Sequence, residues 1–164
     1  MKTPAISLLI ALLTFVASAA EGRYLSANIK TDVPMVRAID DALQAAQHNQ
    51  SWMVMLGKGV SMDPYYGSSS VLLVSPTPFQ KLKPGMMAVF RDADGDLVGH
   101  WLVRLEGQGW VTQGANNFSE DPEIMTASAY EGVIFGVLNS AGADAQGMAY
   151  AKQLGLPTVI GKSR

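Results

Sequence analysis

The residues of this sequence that could do chemistry are a serine on a bend and one of two histidines. Ser61 lies two residues after Gly59, at the end of an apolar run. On such a bend a serine can present its hydroxyl outward while its backbone N–H stays free as an oxyanion donor. His100 lies inside another apolar run, where a buried ring needs a hydrogen-bond partner, and taken alone it is most simply a structural histidine. His48 lies near the end of a predicted helix, whose dipole favours a protonated ring without a further role.

Short apolar runs bounded by Gly, Pro, Asn and Asp must position these groups. They predict strands over 52–56, 71–74, 86–90, 97–105, 110–113 and 132–138. Apolar residues at steps of three and four predict a helix over 32–49, and an Ala- and Met-rich segment predicts a second helix over 141–154. The pattern indicates a mainly β (α+β) fold, in which an antiparallel, partly closed β-barrel-like sheet carries an N-terminal helix and a short C-terminal helix.

The segment 92–96, D-A-D-G-D, could be a turn or a calcium loop. Asp94 and Gly95 between two apolar runs predict a hairpin, because Gly tolerates the positive φ of tight turns. A calcium loop needs its Gly later and a Glu at position twelve, which is Val103 here. We therefore predict a turn, and we expect neither a metal ion nor another cofactor in this protein.

The first residues have the layout of a secretory signal peptide. Lys2 precedes an apolar run over 5–16 and the small residues A-S-A-A at 17–20, so we expect cleavage after Ala19. The alternative is an uncleaved membrane anchor through residues 4–20, which approaches the roughly 17 residues needed to span a bilayer. We expect a periplasmic or secreted protein, or a membrane-anchored one if the segment stays.

The segment that remains after cleavage, residues 20–164, has the length of one ordinary domain. The net charge of the chain is −2 without a cluster of Lys or Arg, which argues against nucleic-acid binding. The absence of cysteine excludes disulfides, a thiol nucleophile and a thiolate metal site. Several apolar residues are either core or an exposed patch suited to an extended peptide or a membrane surface, namely Trp52, Met53, Met86, Met87 and Trp101.

Several motifs occur in the order typical of one peptidase family. The chain has S-M-D-P at 61–64, P-G at 84–85, H-W-L-V at 100–103, T-Q-G-A-N-N at 112–117 with a carboxylate at 121, and G-V-I-F-G at 132–136. Together these resemble the catalytic core of signal peptidases, most closely the branch typical of the endoplasmic reticulum and archaea, which uses Ser and His rather than Ser and Lys. The resemblance covers residues 52–138, the predicted core of a single signal-peptidase-like domain.

The resemblance implies a role for each matching residue. Ser61 would be the nucleophile and His100 the general base, because an unperturbed imidazole titrates near pH 6.5 and can take the hydroxyl proton. Asp121 would hold the ring in the right tautomer and stabilise the imidazolium. Met62 and Pro64 would contact the substrate. The oxyanion would rest on the backbone N–H of Ser61 and on a second donor in the region of position 59.

Some positions depart from the family pattern. Gly59 stands where the family often has a Ser or Thr whose hydroxyl is the second oxyanion donor, and losing such a donor costs about a hundred- to a thousandfold in rate. Ala115 replaces the first Asp of the fourth motif, so Asp121 is the carboxylate left there. Met86 and Trp101 also depart from the pattern, at positions more concerned with packing.

Two hypotheses follow. The first is an exported serine endopeptidase of signal-peptidase type that cleaves exported polypeptides after small residues. The second, supported by Gly59 and Ala115, is a catalytically weak or inactive binding or scaffold protein of the cell envelope with the same fold. The distance between the Ser61 hydroxyl and the His100 ring separates them, because catalysis requires hydrogen-bond reach. The substrate sequence and the oligomeric state are left open.

Overall fold

The computed structural model describes residues 31–163, in which six strands lie along the chain between two α-helices and a seventh strand follows the second helix. The predicted signal segment, 1–19, lies outside the described residues. The elements are α1 (Met35–Ala46), β1 (Met53–Gly59), β2 (Ser70–Ser75), a 3-10 turn (Phe79–Lys81), β3 (Met87–Arg91), β4 (Leu97–Glu106), β5 (Gly109–Gln113), β6 (Tyr130–Asn139), α2 (Ala145–Gln153) and β7 (Thr158–Gly161). None of the helices within 31–163 is long and apolar enough to cross a bilayer.

The strands form one sheet in the order β3-β6-β2-β1-β7-β4-β5, and β3 also pairs with β4. This second pairing closes six strands into a barrel and leaves β5 attached to β4 outside the ring. The predicted mainly β fold is confirmed, but the sheet is closed rather than partly closed. It is also not wholly antiparallel, because β7 runs parallel to both β1 and β4. Helix α2 supplies the crossover connection that a parallel pairing needs.

The side chains of β2 point alternately to two covered faces, which explains its continuous apolar run. Val71 and Leu73 pack with Met35 and Ile39 of α1 on the outside of the barrel. Leu72 and Val74 point to the inner cluster of the barrel, together with side chains of β1, β3, β6 and β7. Because successive side chains of a strand point to opposite faces, a strand that is covered on both faces is apolar throughout.

The helices are shorter than predicted at both ends. Helix α1 begins after Pro34, because the residue that precedes a proline is pushed out of the helical region. Helix α2 begins at its cap, Asp144, whose carboxylate accepts a hydrogen bond from the Gly147 N–H at 2.7 Å. The sequence did not predict β7, which follows Pro157 and has only four residues.

The apolar residues that were candidates for a surface patch are mainly packing residues. Met53, Met87 and Trp101 are half-buried against the inner cluster, and Met86 packs against a third cluster between β3, β4 and β5. Trp52 packs against Phe135, with ring centroids 4.5 Å apart. Most of these five residues therefore pack against the core rather than form an exposed patch.

Candidate active site

A serine, a histidine and a carboxylate from three separate segments meet in one chain of hydrogen bonds. The Oγ atom of Ser61 lies 2.9 Å from Nε2 of His100. The Nδ1 atom of His100 lies 2.5 Å from Oδ2 of Asp121. Ser61 and His100 are fully buried and Asp121 is 8% exposed. The three side chains predicted from the sequence are thus within hydrogen-bond reach of one another.

The direction of these hydrogen bonds follows from the carboxylate. A carboxylate only accepts, so Nδ1 of His100 donates to Asp121, and Nε2 of the neutral ring is left to accept the hydroxyl proton of Ser61. Thr112 donates a second hydrogen bond, of 2.6 Å, to the same oxygen of Asp121. The other carboxylate oxygen, Oδ1, is buried and has no hydrogen-bond partner among the described residues. The arrangement is the one needed for general-base activation of a hydroxyl.

His100 is fixed in place by the barrel itself. It is on β4, paired with Ala88 of β3, and its ring makes an edge contact with Phe90 at a centroid distance of 6.4 Å. Both neighbours are buried. The strand pairing and the contact with Phe90 therefore set the direction of the imidazole. The run around His100 is apolar because it lies in the buried part of β4.

Ser61 lies on a turn that begins as soon as β1 ends. Gly59 has φ +94°, a conformation that residues with a Cβ rarely adopt, and this redirects the chain out of the strand. Asn116 then holds the turn from the outside. Its backbone N–H donates to the carbonyl of Ser61 at 2.7 Å, and its side-chain amide donates to the carbonyl of Val60 at 3.1 Å. Asn116, in the motif at 112–117, thus fixes the bend that carries the serine.

Gly114 allows this motif to approach the bend closely. A Cβ at Gly114 would lie 2.9 Å from the Cβ of Ser61 and 2.7 Å from Nδ2 of Asn117, closer than carbon side chains pack. The segment that includes Thr112, Gly114 and Asn116 therefore supports both the carboxylate and the serine. The sequence placed these residues in the motif without assigning them a role.

The other predicted site residues lie around the bend. Met62 is fully buried in the inner cluster, where its sulfur accepts a hydrogen bond from the Ala115 N–H at 3.4 Å. Pro64 is exposed and lines a cavity of about 600 Å³ beside the bend. The backbone N–H of Gly59 donates to the hydroxyl of Ser68 at 3.3 Å. The substrate contacts of Met62 and Pro64 and the oxyanion role near Gly59 stay predictions.

A smaller surface pocket includes Gly114, which packs against Ser61. It has a volume of about 270 Å³ and is lined by Tyr65, Trp101, Val103, Gln113, Gly114 and Ala115. The rings of Tyr65 and Trp101 form its wall, in an edge-to-face contact with centroids 5.0 Å apart. Gly114 links the pocket to Ser61. The pocket has room for a small apolar side chain.

The C-terminal strand adds residues that the sequence did not indicate. Strand β7 lies between β1 and β4, and Gly161 at its end pairs with Gly59. A Cβ at Gly161 would lie 2.7 Å from the Oγ of Ser61. The side-chain amide of Asn117 donates to the carbonyl of Lys162 at 3.0 Å. The full burial of the serine thus comes in part from a segment close to the C-terminal end of the described residues.

The predicted turn at 92–96 is confirmed as the connection between β3 and β4, with Gly95 at φ +83°. Its carboxylates hold the ammonium group of Lys162, which contacts Asp92, Asp94 at 3.2 Å and Asp96 at 3.0 Å. Burial alone would raise the pKa of Asp92, but the hydrogen bond from Lys162 and backbone N–H groups of the turn lower it. The hydrogen bond to Asp92 raises the pKa of Lys162.

Comparisons with protein-family models, with curated proteins and with solved structures find no match to this chain. Its function therefore has to be argued from the site itself.

Proposed function

We propose that this protein is a serine endopeptidase of signal-peptidase type that cleaves exported polypeptides. The observation that carries the proposal is the chain of hydrogen bonds from Ser61 through His100 to Asp121. A hydrogen bond between Ser and His alone also occurs for structural reasons. Here the base is itself held by a buried carboxylate, and that carboxylate is held by the hydroxyl of Thr112. Each support has a purpose in nucleophilic catalysis.

In the proposed reaction Ser61 attacks a peptide carbonyl while Nε2 of His100 takes its proton. The tetrahedral oxyanion rests on the backbone N–H of Ser61 and on a second donor near the bend. His100 then returns the proton to the leaving amine, so that an acyl-enzyme and a new amino terminus result. Water, activated by the same imidazole, releases the acyl group and restores the free hydroxyl. Asp121 stays ionised throughout and stabilises the imidazolium.

The barrel supports the signal-peptidase assignment in outline. The serine follows β1, the histidine lies on β4, and the carboxylate follows β5. The order of the motifs along the chain, with the serine first, the histidine second and the carboxylate third, agrees with this placement. We further propose a periplasmic or secreted location, or an anchor through residues 4–20, with a contact to the membrane surface where exported polypeptides emerge.

The test uses the full chain and a synthetic peptide that has an apolar segment followed by Ala-x-Ala. Cleavage after the last Ala, detected by mass spectrometry, supports the proposal, and Ser61→Ala should abolish it. Ser119→Ala, an exposed serine on the loop before Asp121, is the matched control and should cleave like the wild type. The assay follows the accumulated product, so a slow enzyme is still detected. Equal cleavage by Ser61→Ala would reject the proposed nucleophile.

A second candidate function is a catalytically weak or inactive binding or scaffold protein of the cell envelope. The complete burial of Ser61 and His100 favours it, because no substrate carbonyl can reach a covered hydroxyl. This candidate predicts that a peptide binds to the full chain and is recovered uncut. The proposal of a peptidase requires that the cover can move.

A further inference from the structure

Strand β7 fills the place next to the nucleophile that a peptide substrate would need. It is inserted between β1, which leads into the bend of Ser61, and β4, which carries His100. It pairs in parallel with β1 from Leu56 to Gly59, and Val98 of β4 pairs with Ile160 on its other side. Without β7, the two strands that carry the nucleophile and the base would border a slot one strand wide. Backbone groups on both sides of such a slot suit an extended peptide.

The end of β7 covers the reactive atoms of the serine. A Cβ at Gly161 would lie 2.7 Å from Oγ and 3.2 Å from the backbone nitrogen of Ser61. The α-carbon of Gly161 therefore faces both the nucleophile and its oxyanion donor. The carbonyl oxygen of Gly161 lies against Gly59, where an added Cβ would be 2.3 Å from it. Gly161 is thus packed between Gly59 and Ser61.

Besides the backbone pairing of β7 with β1 and β4, side-chain contacts hold this strand on the barrel. Val159 is the one fully buried apolar side chain among its four residues, and Thr158 and Ile160 are half-buried. Beyond the strand, Lys162 is held at two points, through its carbonyl by Asn117 and through its ammonium group by the three carboxylates of the 92–96 turn. Charge-assisted hydrogen bonds of this kind are stronger than neutral ones. They act as a latch on a short strand.

We propose that β7 is an intramolecular inhibitor that fills the peptide-binding slot between β1 and β4, and that Lys162 latches it there. A peptide enters the slot in the place of β7, parallel to β1, with a glycine at the position of Gly161. The regulatory part of this inference rests on the proposed peptidase function. The binding part, namely that an extended peptide can occupy the slot, does not depend on that function.

The binding part is tested by peptide exchange in the folded full chain. A site for a specific protease is inserted directly after Gly155, which is exposed and is itself kept because its φ of +66° suits glycine. Cutting the folded protein there leaves residues 156–164 bound as a separate peptide. A fluorescent peptide of the same sequence should then exchange into the cut protein, as measured by fluorescence anisotropy. The same peptide with Gly161→Val should bind at least about tenfold more weakly.

The outcomes of this experiment decide the binding part. Exchange that depends on Gly161 supports the slot, and the result should be equal in a Ser61→Ala background because binding does not require the hydroxyl. Absence of exchange would show that β7 is a permanent strand of the barrel and would overturn the inference. Equal binding of both peptides would overturn it as well, since the contact with Ser61 would then not exclude a side chain at position 161.

The latch is tested with Lys162→Gln in the uncut chain. The rate at which a fluorophosphonate probe labels Ser61 should rise about tenfold, because the covering strand leaves the slot more often. Lys152→Gln, which changes an exposed lysine of α2, is the control and should label like the wild type. Equal labelling of wild type and Lys162→Gln would overturn the inhibitory role. Peptide exchange without any labelling of Ser61 would refute the peptidase proposal and leave the slot supported.

Discussion

Changing Asp121 to Asn removes the charge of the site and keeps its shape. Oδ2 of Asp121 accepts hydrogen bonds from His100 and Thr112, and the carboxylate is buried, so water and salt do not replace the lost charge. If the amide nitrogen faces the ring, Nδ1 must accept, and the proton moves to Nε2, where it blocks the base. If the amide oxygen faces the ring, the tautomer is kept but the imidazolium loses its counter-ion.

Both arrangements of the amide raise the barrier. In serine proteases with the same three groups, the corresponding change lowers kcat by about 10⁴-fold. Each factor of ten corresponds to about 1.36 kcal/mol, so the expected increase in the activation free energy is about 5 kcal/mol. We therefore predict that Asp121→Asn lowers kcat for the peptide substrate by about 10⁴-fold and changes KM little.

The assay compares single-turnover cleavage of the Ala-x-Ala peptide by the wild type and by Asp121→Asn. Glu120→Gln is the matched control, because Glu120 is the neighbouring carboxylate but lies exposed in an ion pair with Arg104. Exposed pairs contribute about 0–1 kcal/mol, so this variant should keep the wild-type rate. A folded Asp121→Asn variant that keeps more than about a tenth of the wild-type kcat would refute the catalytic role of the carboxylate.

Three further predictions concern stability. Thr112→Val removes a hydrogen bond to a buried carboxylate and should lower the free energy of unfolding in urea by about 1.5–3 kcal/mol, whereas no loss would argue against that bond. Met62→Ala leaves a cavity in the inner cluster and should cost about 2–5 kcal/mol with an unchanged m-value, and a cost below about 1 kcal/mol would contradict full burial. The lowered pKa of Asp92 means that its stabilising effect is present above the usual carboxyl value of 3.8 and is lost as the pH falls below it. The difference in unfolding free energy between wild type and Lys162→Gln should therefore shrink towards about pH 2, and a constant difference would exclude the ion pair as its source.

The sequence predicted much of the fold because most strands have a local signal. Apolar runs bounded by Gly, Pro, Asn and Asp marked β1 to β6 to within a few residues, and Asp94 with Gly95 marked the turn between β3 and β4. Strand β7 has no such signal, since T-V-I-G is too short to show a period. Its partners lie far away along the chain, and pairing over that distance depends on the closed barrel rather than on neighbouring residues.

The members of the site were predicted from a different signal, the order of the motifs along the chain. The motif order connected Ser61, His100 and Asp121 although no local pattern joins them, and the structure places them in contact. The sequence could not indicate the burial of the serine, because this depends on where Gly161 and Lys162 lie. An isolated lysine near the end of a chain carries no sign of its partners. Charge partners across about seventy residues become visible only in three dimensions.

The pairing of β1 with β7 also affects how the protein folds. Leu56 pairs with Thr158, about a hundred residues further along the chain, so the ring of strands cannot close by local hairpins alone. Folds with many distant pairings reach the native state slowly, on the order of milliseconds to seconds. Until β7 docks, β1 has an unpaired edge that invites association with other chains. We expect refolding yields to fall as protein concentration rises, with aggregation competing against closure of the ring.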